Sequence, residues 1–272
     1  MQTNYLTRLE RHIEASPSIP PVQQWQIGLA SLLLIAGIMT YFAPGGLMTG
    51  FFTLQSYSLP FPDVLWEYIT FSGDKWPMLA LGLTMSVRHP RFTLAMLLAG
   101  TIGLLLTQGC KLYFHTARPP ALLPLESFRL IGTALTTNST PSGHTATAFL
   151  AAGLATHLCR SWVARTAILA IAAIIGYSRI AVGVHWPVDV MTGAAAGLFA
   201  SWIGVLLAHK LQTRLNSLLL AAIIVMLVGS ALKLLTYNGG FANTDLFAVS
   251  IAAACLGVFY SELRRAKLLP FC

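Results

Sequence analysis

Long apolar stretches separated by short polar segments constrain the fold of this chain more than any other feature of its sequence. A helix needs about 20 mostly apolar residues to cross a bilayer, and a chain in lipid must satisfy its backbone hydrogen bonds internally. The sequence therefore predicts an all-α, polytopic membrane helical bundle with about eight spans. The predicted spans lie at approximately 26–43, 71–87, 92–113, 143–159, 163–182, 188–208, 217–236 and 245–262.

The composition agrees with a membrane protein and excludes an ordinary soluble domain. Only 10% of the 272 residues are charged and 56% are hydrophobic, and the mean hydropathy is +0.69. Soluble domains carry about 25% charged residues. The net charge of +8 would suggest a nucleic-acid partner in a soluble protein. In a membrane protein the basic residues must first be assigned to the two sides of the bilayer, and we expect no nucleic-acid partner.

The basic residues predict the orientation of the chain. If the eight spans alternate, most of the 17 Lys and Arg residues fall on the side of the N-terminus. Because Lys and Arg are enriched in cytoplasmic loops, we expect both termini in the cytoplasm. The first apolar stretch follows a polar segment with three prolines, so we expect it to remain as a span and not to be cleaved as a signal peptide. Six basic residues lie on the outer side against the general trend: Lys75, Lys111, Arg118, Arg129, Arg179 and Lys233.

Two further features bear on the organisation of the chain. The segment 50–70 is apolar but is broken by Pro60 and Pro62, so we expect it to lie at the membrane interface and not to span. The four cysteines show neither a paired nor a metal-type spacing. We therefore expect free thiols without a disulfide framework, and the sequence indicates no metal site and no cofactor.

Three polar segments are predicted to meet at the outer face, although they are far apart in sequence. KLYFHTARP (111–119) ends the third span, PSGH (141–144) begins the fourth, and SRIAVGVHWPVD (178–189) connects the fifth to the sixth. Alternating spans place all three at the same membrane depth. Together they supply three fixed cations, the histidines His144 and His185, one carboxylate and a Ser-Gly turn at the start of a helix.

The cations and the helix start have the chemistry of a phosphate site. Lys111, Arg118 and Arg179 are suited to bind anionic oxygens, and Arg does so in a planar, bidentate manner. Ser142 and Gly143 stand at the predicted N-terminus of the fourth span, where free amides and the helix dipole favour negative charge. Cations placed around a transferring phosphoryl group stabilise its charge, so these five residues predict a site for phosphate.

The two histidines and the carboxylate predict acid, base and nucleophilic chemistry. Pro187 lies between His185 and Asp189 and favours the first position of a helix, so His185 is expected just outside the sixth span and Asp189 in its first turn. A carboxylate on one imidazole nitrogen fixes the tautomer and leaves the other nitrogen free as a nucleophile. His144 is then expected to face His185 across the phosphoryl group and to protonate the leaving oxygen.

These segments resemble the signature of the type 2 phosphatidic acid phosphatase (PAP2) family, which reads K-x6-RP, PSGH and SR-x5-H-x3-D, and every fixed position is present. The resemblance covers about residues 70–208. It implies a metal-independent membrane phosphatase with a phosphohistidine intermediate. In that scheme His185 is the nucleophile, Asp189 orients it and His144 is the acid, and the phosphate is held by Lys111, Arg118, Ser142, Gly143 and Arg179.

The resemblance also implies an organisation in three parts. Residues 1–25 form a cytoplasmic N-terminal segment, and residues 26–210 form a PAP2-like membrane catalytic core of six helices. Residues 211–272 add two C-terminal spans and a short cytoplasmic tail. The sequence assigns no role to these last two spans.

Two residues near the motifs are candidates for contact with a substrate headgroup. His115 lies inside the first motif but not at a fixed position, and it could equally be an interfacial residue. Arg129 lies in the outer loop 119–140, where the alternative is a salt bridge with Glu126. Loops of this length are often lids or binding loops, and the sequence leaves open whether this loop closes over a substrate.

The combined observations predict a lipid phosphatase of the plasma (inner) membrane with its site on the extracytoplasmic face. The expected substrate is a lipid phosphate or diphosphate, and the candidates are undecaprenyl diphosphate, phosphatidylglycerophosphate, phosphatidic acid and lipid A phosphates. One alternative is a phosphotransferase that passes the group from the phosphohistidine to a second lipid. Another is a protein that binds or transports lipid phosphate without catalysis, and a vanadate-dependent halide oxidation is a third. The sequence does not predict the oligomeric state.

Overall fold

The computed structural model describes residues 5–268, and it confirms the predicted all-α fold. Short 3-10 turns join some of the helices, and no strand occurs within residues 5–268. The α-helices are α1 (Tyr5–Ala15), α2 (Trp25–Phe42), α3 (Phe51–Ser56), α4 (Asp63–Ser72), α5 (Lys75–Ser86), α6 (Pro90–Phe114), α7 (Pro119–Leu122), α8 (Gly143–Leu158), α9 (Trp162–Ala181), α10 (Pro187–Leu211), α11 (Ser217–Lys233) and α12 (Asp245–Arg265).

Within the described part of the chain, six segments are long and apolar enough to cross a membrane. They contain α2, α6, α9, α10, α11 and α12, which match six of the eight predicted spans. The other two predicted spans correspond to α5 and α8, which have 12 and 16 residues. At 1.5 Å per residue these helices are about 18 and 24 Å long, less than the roughly 30 Å of a bilayer core.

The predicted span 71–87 is wrong at its start. Residues 71 and 72 belong to α4, and the chain breaks at Gly73 and Asp74 before α5 begins. The carboxylate of Asp74 accepts a hydrogen bond from the backbone nitrogen of Trp76 at 3.0 Å. An Asp that caps a helix in this way starts a new helix and does not continue the previous one.

Helix α10 lies at the centre of the bundle and packs against α2, α6, α8 and α9. Its small residues permit this close approach. A Cβ atom at Gly197 would overlap the carbonyl of Ala146 in α8, and one at Gly204 would overlap the backbone of Ala99 in α6. Small residues at helix crossings let membrane helices pack tightly, and here they fix the start of α10 beside the start of α8 and the end of α6.

The segment predicted to lie at the interface forms the short helices α3 and α4, neither of which could span a bilayer. It packs against the end of α9, where the Tyr177 hydroxyl donates to the carbonyl of Leu54 at 2.7 Å. The side-chain amide of Gln55 donates to the carbonyl of Arg129 at 2.8 Å. The segment thus holds the end of α9 and part of the 119–140 loop in place.

Helix α11 packs against α5 and α6, helix α12 packs against α5, and all four helices contribute to one apolar core. Leu220 and Leu227 of α11 and Ala252 of α12 are buried in the same cluster as Leu83 of α5. Helix α1 joins this core through Leu9 and Ile13. The predicted boundary at residue 210 therefore runs through a region of dense apolar contact.

The cysteines within the described residues, Cys110, Cys159 and Cys255, are free thiols. Cys272 lies outside the described residues. Residues 5–268 contain no group of three or more His, Cys, Asp or Glu side chains arranged to hold a metal ion.

Candidate active site

The structure brings the three predicted motif segments together at one end of the bundle. The first lies at the end of α6 and the start of α7, the second at the start of α8, and the third between α9 and α10. The backbone nitrogen of Ser142 donates to the carbonyl of Asp189 at 2.9 Å. The indole nitrogen of Trp186 donates to the carbonyl of Ala117 at 2.8 Å. Direct hydrogen bonds therefore join the third segment to each of the other two.

His185 and Asp189 form a buried pair, as their spacing predicts. Their side chains are almost fully excluded from solvent, and His185 Nδ1 lies 3.2 Å from Asp189 Oδ2. Pro187 begins α10, and the same carboxylate oxygen accepts a hydrogen bond from the backbone nitrogen of Trp186 at 2.8 Å. The pairing places the proton on Nδ1 and leaves the lone pair on Nε2.

Sequence reasoning missed the hydroxyl groups that hold the Asp189 carboxylate. Ser139 donates to Oδ2 and Thr140 donates to Oδ1. Thr116 in turn donates to the Thr140 hydroxyl at 2.9 Å. Ser139 and Thr140 directly precede the PSGH motif, so a run of hydroxyl residues beside a predicted phosphate site was the available signal.

The guanidinium of Arg118 lies beside His185 and is almost fully buried. Its Nη1 lies 3.1 Å from His185 Nε2 and donates to the carbonyl of Val184 at 3.2 Å. Its Nε and Nη2 donate to the carbonyls of Thr137 and Asn138 at 2.8 and 3.3 Å. These bonds to the 119–140 loop hold a fixed positive charge at the nitrogen that the predicted nucleophile presents.

Arg179 and Lys111 carry donors that have no hydrogen-bond partner among residues 5–268. Arg179 is 3% exposed, its Nη1 donates to the Thr70 hydroxyl, and its Nε is buried without a partner in the described structure. The Lys111 amine has no hydrogen bond to any described residue. It lies over the start of α8, 3.9 Å from the position of a Cβ atom built on Gly143. Buried donors that lack partners are costly, and an anion at this position would satisfy them.

The start of α8 has the geometry of an anion site, although several polar groups of Ser142 already have partners within the protein. The Ser142 side chain is fully buried and caps α8, accepting hydrogen bonds from the backbone nitrogen and the hydroxyl of Thr145 at 3.4 and 3.0 Å. The backbone nitrogen of Ser142 donates to the carbonyl of Asp189. Of the polar groups in Ser142 named here, only the hydroxyl proton therefore remains to bind a ligand. The Gly143 amide lies in the first turn of α8, where helix amides have no intrahelical partner.

His144 lies next to a carboxylate that the sequence analysis did not single out. Its Nε2 lies 3.6 Å from Oδ2 of Asp74, and 27% of its side chain is exposed. His144 is also within electrostatic range of His185 and of the three cations Arg179, Lys111 and Arg118. The structure thus places both predicted catalytic histidines in one positively charged site, with a separate carboxylate beside each.

His185 lies in the loop between α9 and α10, and its surroundings disfavour the protonated form. Burial lowers the pKa of His185 well below its usual value of 6.5, and the charges of Arg118, Arg179 and Lys111 lower it further. The imidazole is therefore neutral at physiological pH. A neutral imidazole is the form that can act as a nucleophile.

The two candidate headgroup contacts lie at the edge of this site. Arg129 forms an ion pair with Asp63 and donates to the carbonyls of Ser58 and Phe61 at 2.9 and 2.8 Å. Its partner is therefore Asp63, and the alternative of a salt bridge with Glu126 is wrong. His115 ends α6 in a left-handed conformation with a φ of 46° and is exposed. The recorded hydrogen-bond partners of the Arg129 side chain are thus Asp63, Ser58 and Phe61, none of which belongs to the three motifs.

An apolar cavity of about 620 Å³ adjoins the motif residues. It lies between α2, α6 and α10, and its walls include Tyr41, Phe114 and Phe199. Its lining also includes Thr116, Thr140 and Pro141, and the Thr140 hydroxyl donates to Asp189. The cavity is large enough to hold part of an acyl chain.

The fold and the site together define a helical membrane protein with a cation-rich pocket built around two histidines. Residues 91–213 match the model of the PAP2 superfamily, and all three motif segments lie within this range. The chain belongs to the PAP2 superfamily, which confirms the resemblance seen in the motifs.

Two relatives are similar to parts of this chain. Over 41 residues it is 44% identical to a lipid A 4'-phosphatase of Bacteroides thetaiotaomicron, an alignment that covers 15% of this chain and 18% of that protein. The chain therefore matches less than a fifth of the length of this relative. Among solved structures it is similar to the crystal structure of Aquifex aeolicus LpxE, with 30% identity and a TM-score of 0.48 over 52% of this chain and 84% of that one.

Proposed function

We propose that this protein is a membrane phosphatase that hydrolyses a lipid phosphate or diphosphate through a phosphohistidine at His185. The observation that carries the proposal is the environment of this imidazole. Its Nδ1 faces Asp189 at 3.2 Å, and its Nε2 lies 3.1 Å from the guanidinium of Arg118. A site that only binds phosphate needs the cations, but it has no need of a nucleophile held in one tautomer by a buried carboxylate.

In the first step, the lone pair of His185 Nε2 attacks phosphorus and forms a P–N bond. The bond between phosphorus and the leaving oxygen breaks, its electron pair stays on that oxygen, and His144 supplies the proton that neutralises it. Arg118 Nη1, now 3.1 Å from Nε2, transfers its hydrogen bond to a phosphate oxygen when the substrate binds. Lys111, Arg179 and the Gly143 amide stabilise the remaining negative charge.

In the second step, water attacks phosphorus and gives a proton to His144, which now acts as the base. The P–N bond breaks and its electron pair returns to His185 Nε2, so the enzyme is restored. The products are inorganic phosphate and a lipid that has lost one phosphoryl group. Asp189 stabilises the charge that His185 carries while the phosphohistidine exists.

The lipid nature of the substrate is supported by the apolar cavity beside the site. The cavity reaches Thr140, which contacts Asp189, and it extends between three helices that are apolar enough to lie in a membrane. A phosphorylated headgroup at His185 would therefore have its acyl chain between α2, α6 and α10. The short match to a lipid A 4'-phosphatase makes the 4'-phosphate of lipid A the first substrate to test.

The test is phosphate release by the purified full-length protein in the presence of EDTA. Lipid A, undecaprenyl diphosphate, phosphatidylglycerophosphate and phosphatidic acid would be compared in the same detergent. We expect release from at least one of them, loss of release in His185→Gln, and normal release in His89→Gln. His89 is the matched control because it lies at the other end of α6 from Lys111.

Each alternative outcome identifies a different protein. A doubly phosphorylated lipid without free phosphate would indicate transfer between lipids. Binding of all four lipids without turnover would indicate a binding or transport protein. Release that requires a metal ion, or that persists in His185→Gln, would overturn the proposed mechanism.

A further inference from the structure

One carboxylate oxygen connects the C-terminal helices to His144. Oδ2 of Asp74 accepts a hydrogen bond from the Tyr237 hydroxyl at 2.9 Å and lies 3.6 Å from His144 Nε2. The other oxygen, Oδ1, caps α5 by accepting from the backbone nitrogen of Trp76. Asp74 is 8% exposed. Its carboxylate is therefore fixed in direction by the start of a helix and has one oxygen directed towards the site.

Tyr237 is held firmly by its neighbours. It lies just after α11, and its ring packs against Phe71 and Trp76 with centroid separations of 6.3 and 6.4 Å. The chain that follows is fixed as well, because the Asn243 side-chain amide donates to Glu67 of α4 at 2.9 Å. The hydroxyl of Tyr237 is thus placed by the connection between the two C-terminal helices.

We infer that Asp74 and Tyr237 are positioning residues for His144, so that the C-terminal helix pair contributes to general acid catalysis. The inference rests on the proposed function, since it assigns a partner to the group that protonates the leaving oxygen. It gives α11 and α12 a role in the reaction beyond packing.

The physical reason lies in the charges around His144. Removal from water opposes protonation of His144 most strongly. Arg179 from α9, Lys111 from α6, and Arg118 and His185 from the adjacent loops oppose it further. Of the two carboxylates near the site, Asp189 is paired with His185. Asp74 is the other, and a carboxylate beside an imidazole both stabilises the imidazolium and fixes the ring. Removal of its charge would leave His144 among these cations without the carboxylate at 3.6 Å, and protonation of His144 would become less favourable.

Tyr237 is suited to orient this carboxylate. Burial and the neighbouring Asp74 raise the pKa of Tyr237 to about 12, so its hydroxyl remains a donor at every physiological pH. The amine of Lys233 lies 5.8 Å from the centroid of its ring. The hydrogen bond holds Asp74 Oδ2 at a distance from which it can contact His144 and keeps the carboxylate from turning towards Arg179.

The test uses two variants and a control. Asp74→Asn removes the charge but keeps a good capping residue for α5, and Tyr237→Phe removes only the hydroxyl. Tyr260→Phe is the matched control, because Tyr260 lies on α12 and is exposed. We expect Asp74→Asn to slow formation of the phosphoenzyme about tenfold or more at neutral pH, Tyr237→Phe to slow it roughly threefold to tenfold, and Tyr260→Phe to have no effect.

Two measurements separate a role in proton donation from a structural one. The first compares the natural lipid with p-nitrophenyl phosphate, whose leaving group departs without a proton. The decrease in the rate of phosphoenzyme formation in the two variants should be large with the lipid and small with p-nitrophenyl phosphate. The second is the pH profile of phosphoenzyme formation, whose alkaline limb should move to lower pH in Asp74→Asn, because the imidazolium of His144 loses an attractive charge.

The outcomes distinguish this inference from the proposed function. If the wild-type protein releases no phosphate from any lipid, the proposed function and the inference both fail. If the wild type is active but the variants match it, only the inference fails. Equal deficits with both substrates would also overturn it, since they indicate a general structural effect. Should Asp74→Asn not purify as a folded protein, Tyr237→Phe decides the question by the same comparison.

Discussion

Four groups donate hydrogen bonds to the carboxylate of Asp189, namely the Trp186 backbone, Ser139, Thr140 and His185. Because the carboxylate is completely buried, its partners determine both its charge and its direction. The two hydroxyl groups come from the segment just before α8. The position of His185 therefore depends on a segment that is about 50 residues earlier in the chain, through contacts that lie beneath the site.

We predict that Ser139→Ala reduces kcat about tenfold with little change in KM. The variant removes a hydrogen bond to a buried charged group, which contributes about 1.5–3 kcal/mol, and Ser139 has no predicted contact with the substrate. The measurement is steady-state phosphate release. Ser127→Ala is the control, because Ser127 is exposed and its hydroxyl bonds only to the nearby carbonyl of Pro124. A rise in KM at constant kcat would contradict the prediction.

The depressed pKa of His185 gives a second prediction, about the pH dependence of the reaction. In the proposed mechanism the neutral imidazole is the reactive form, and a lowered pKa keeps it neutral until the pH falls well below 6.5. We therefore expect kcat/KM to remain high as the pH falls through 6.5 and to decrease only further into the acid range. A phosphate monoester substrate also ionises near pH 6. Its ionisation would be measured on the substrate alone, and the pH profile of kcat/KM would be corrected for it. A decrease of kcat/KM that begins at or above pH 6.5 would show that the pKa of His185 is not lowered.

The sequence predicted the contact between His185 and Asp189 because their spacing is local. His185 and Asp189 are four residues apart, and Pro187 sets the start of the helix between them, so their contact follows from backbone geometry. Asp74 and Tyr237 could not be found in this way. They are 163 residues apart, and their contact depends on how α11 packs against α5. The Arg129 ion pair with Asp63 was missed for the same reason, since the sequence offered Glu126 as the nearer partner.

At the level of elements, the lengths of α5 and α8 were the main difference from expectation. Both begin at a capping side chain, Asp74 for α5 and Ser142 for α8. The apolar stretches are nearly long enough to span, but each cap starts its helix at the level of the site. The hydropathy of a stretch indicates that it lies in the bilayer, whereas the caps determine where the helix begins. Here the caps place the Asp74 side chain beside His144, and Ser142 directly before α8, the helix that carries His144.

The packing of α10 gives a prediction at the same scale. Gly204→Ala should lower the free energy of unfolding by roughly 1–3 kcal/mol, because the added methyl overlaps the backbone of Ala99 in α6. Gly100→Ala is the matched control on the facing helix. An added Cβ there meets nothing within 4 Å, and alanine favours a helix relative to glycine. Thermal unfolding in detergent would measure both, and equal midpoints for the two variants would contradict the prediction.

At the scale of the whole molecule, the C-terminal helices share one apolar core with helices of the bundle that carries the motif residues. Leu220 and Leu227 of α11 share a core with Leu83 of α5, and Tyr237 reaches Asp74 beside the site. The sequence indicated a core that ends near residue 210 because the motifs end there. Motifs mark the residues that meet the substrate, but the helices that support them are identified only by three-dimensional packing.

The orientation of the molecule in the membrane can be tested directly. The distribution of Lys and Arg predicts that the proposed site and the 119–140 loop lie on the extracytoplasmic side. It predicts that the α10–α11 connection lies on the cytoplasmic side with the N-terminus. In a chain without native cysteines, Glu126→Cys should react with a membrane-impermeant maleimide on intact cells. Thr213→Cys should react only after the membrane is permeabilised. Both positions are exposed in the structure, so a difference in labelling reports the side of the membrane and not burial.

The reverse labelling pattern would place the site in the cytoplasm. The eleven basic residues assigned to the cytoplasmic side would then face outward, against the usual distribution of Lys and Arg. Lipids of the outer leaflet would no longer reach His185 without crossing the bilayer, and the substrate would have to be a lipid phosphate of the inner leaflet. The labelling experiment therefore restricts the substrate as well as the topology, because the leaflet that faces the site determines which lipids can enter the cavity between α2, α6 and α10.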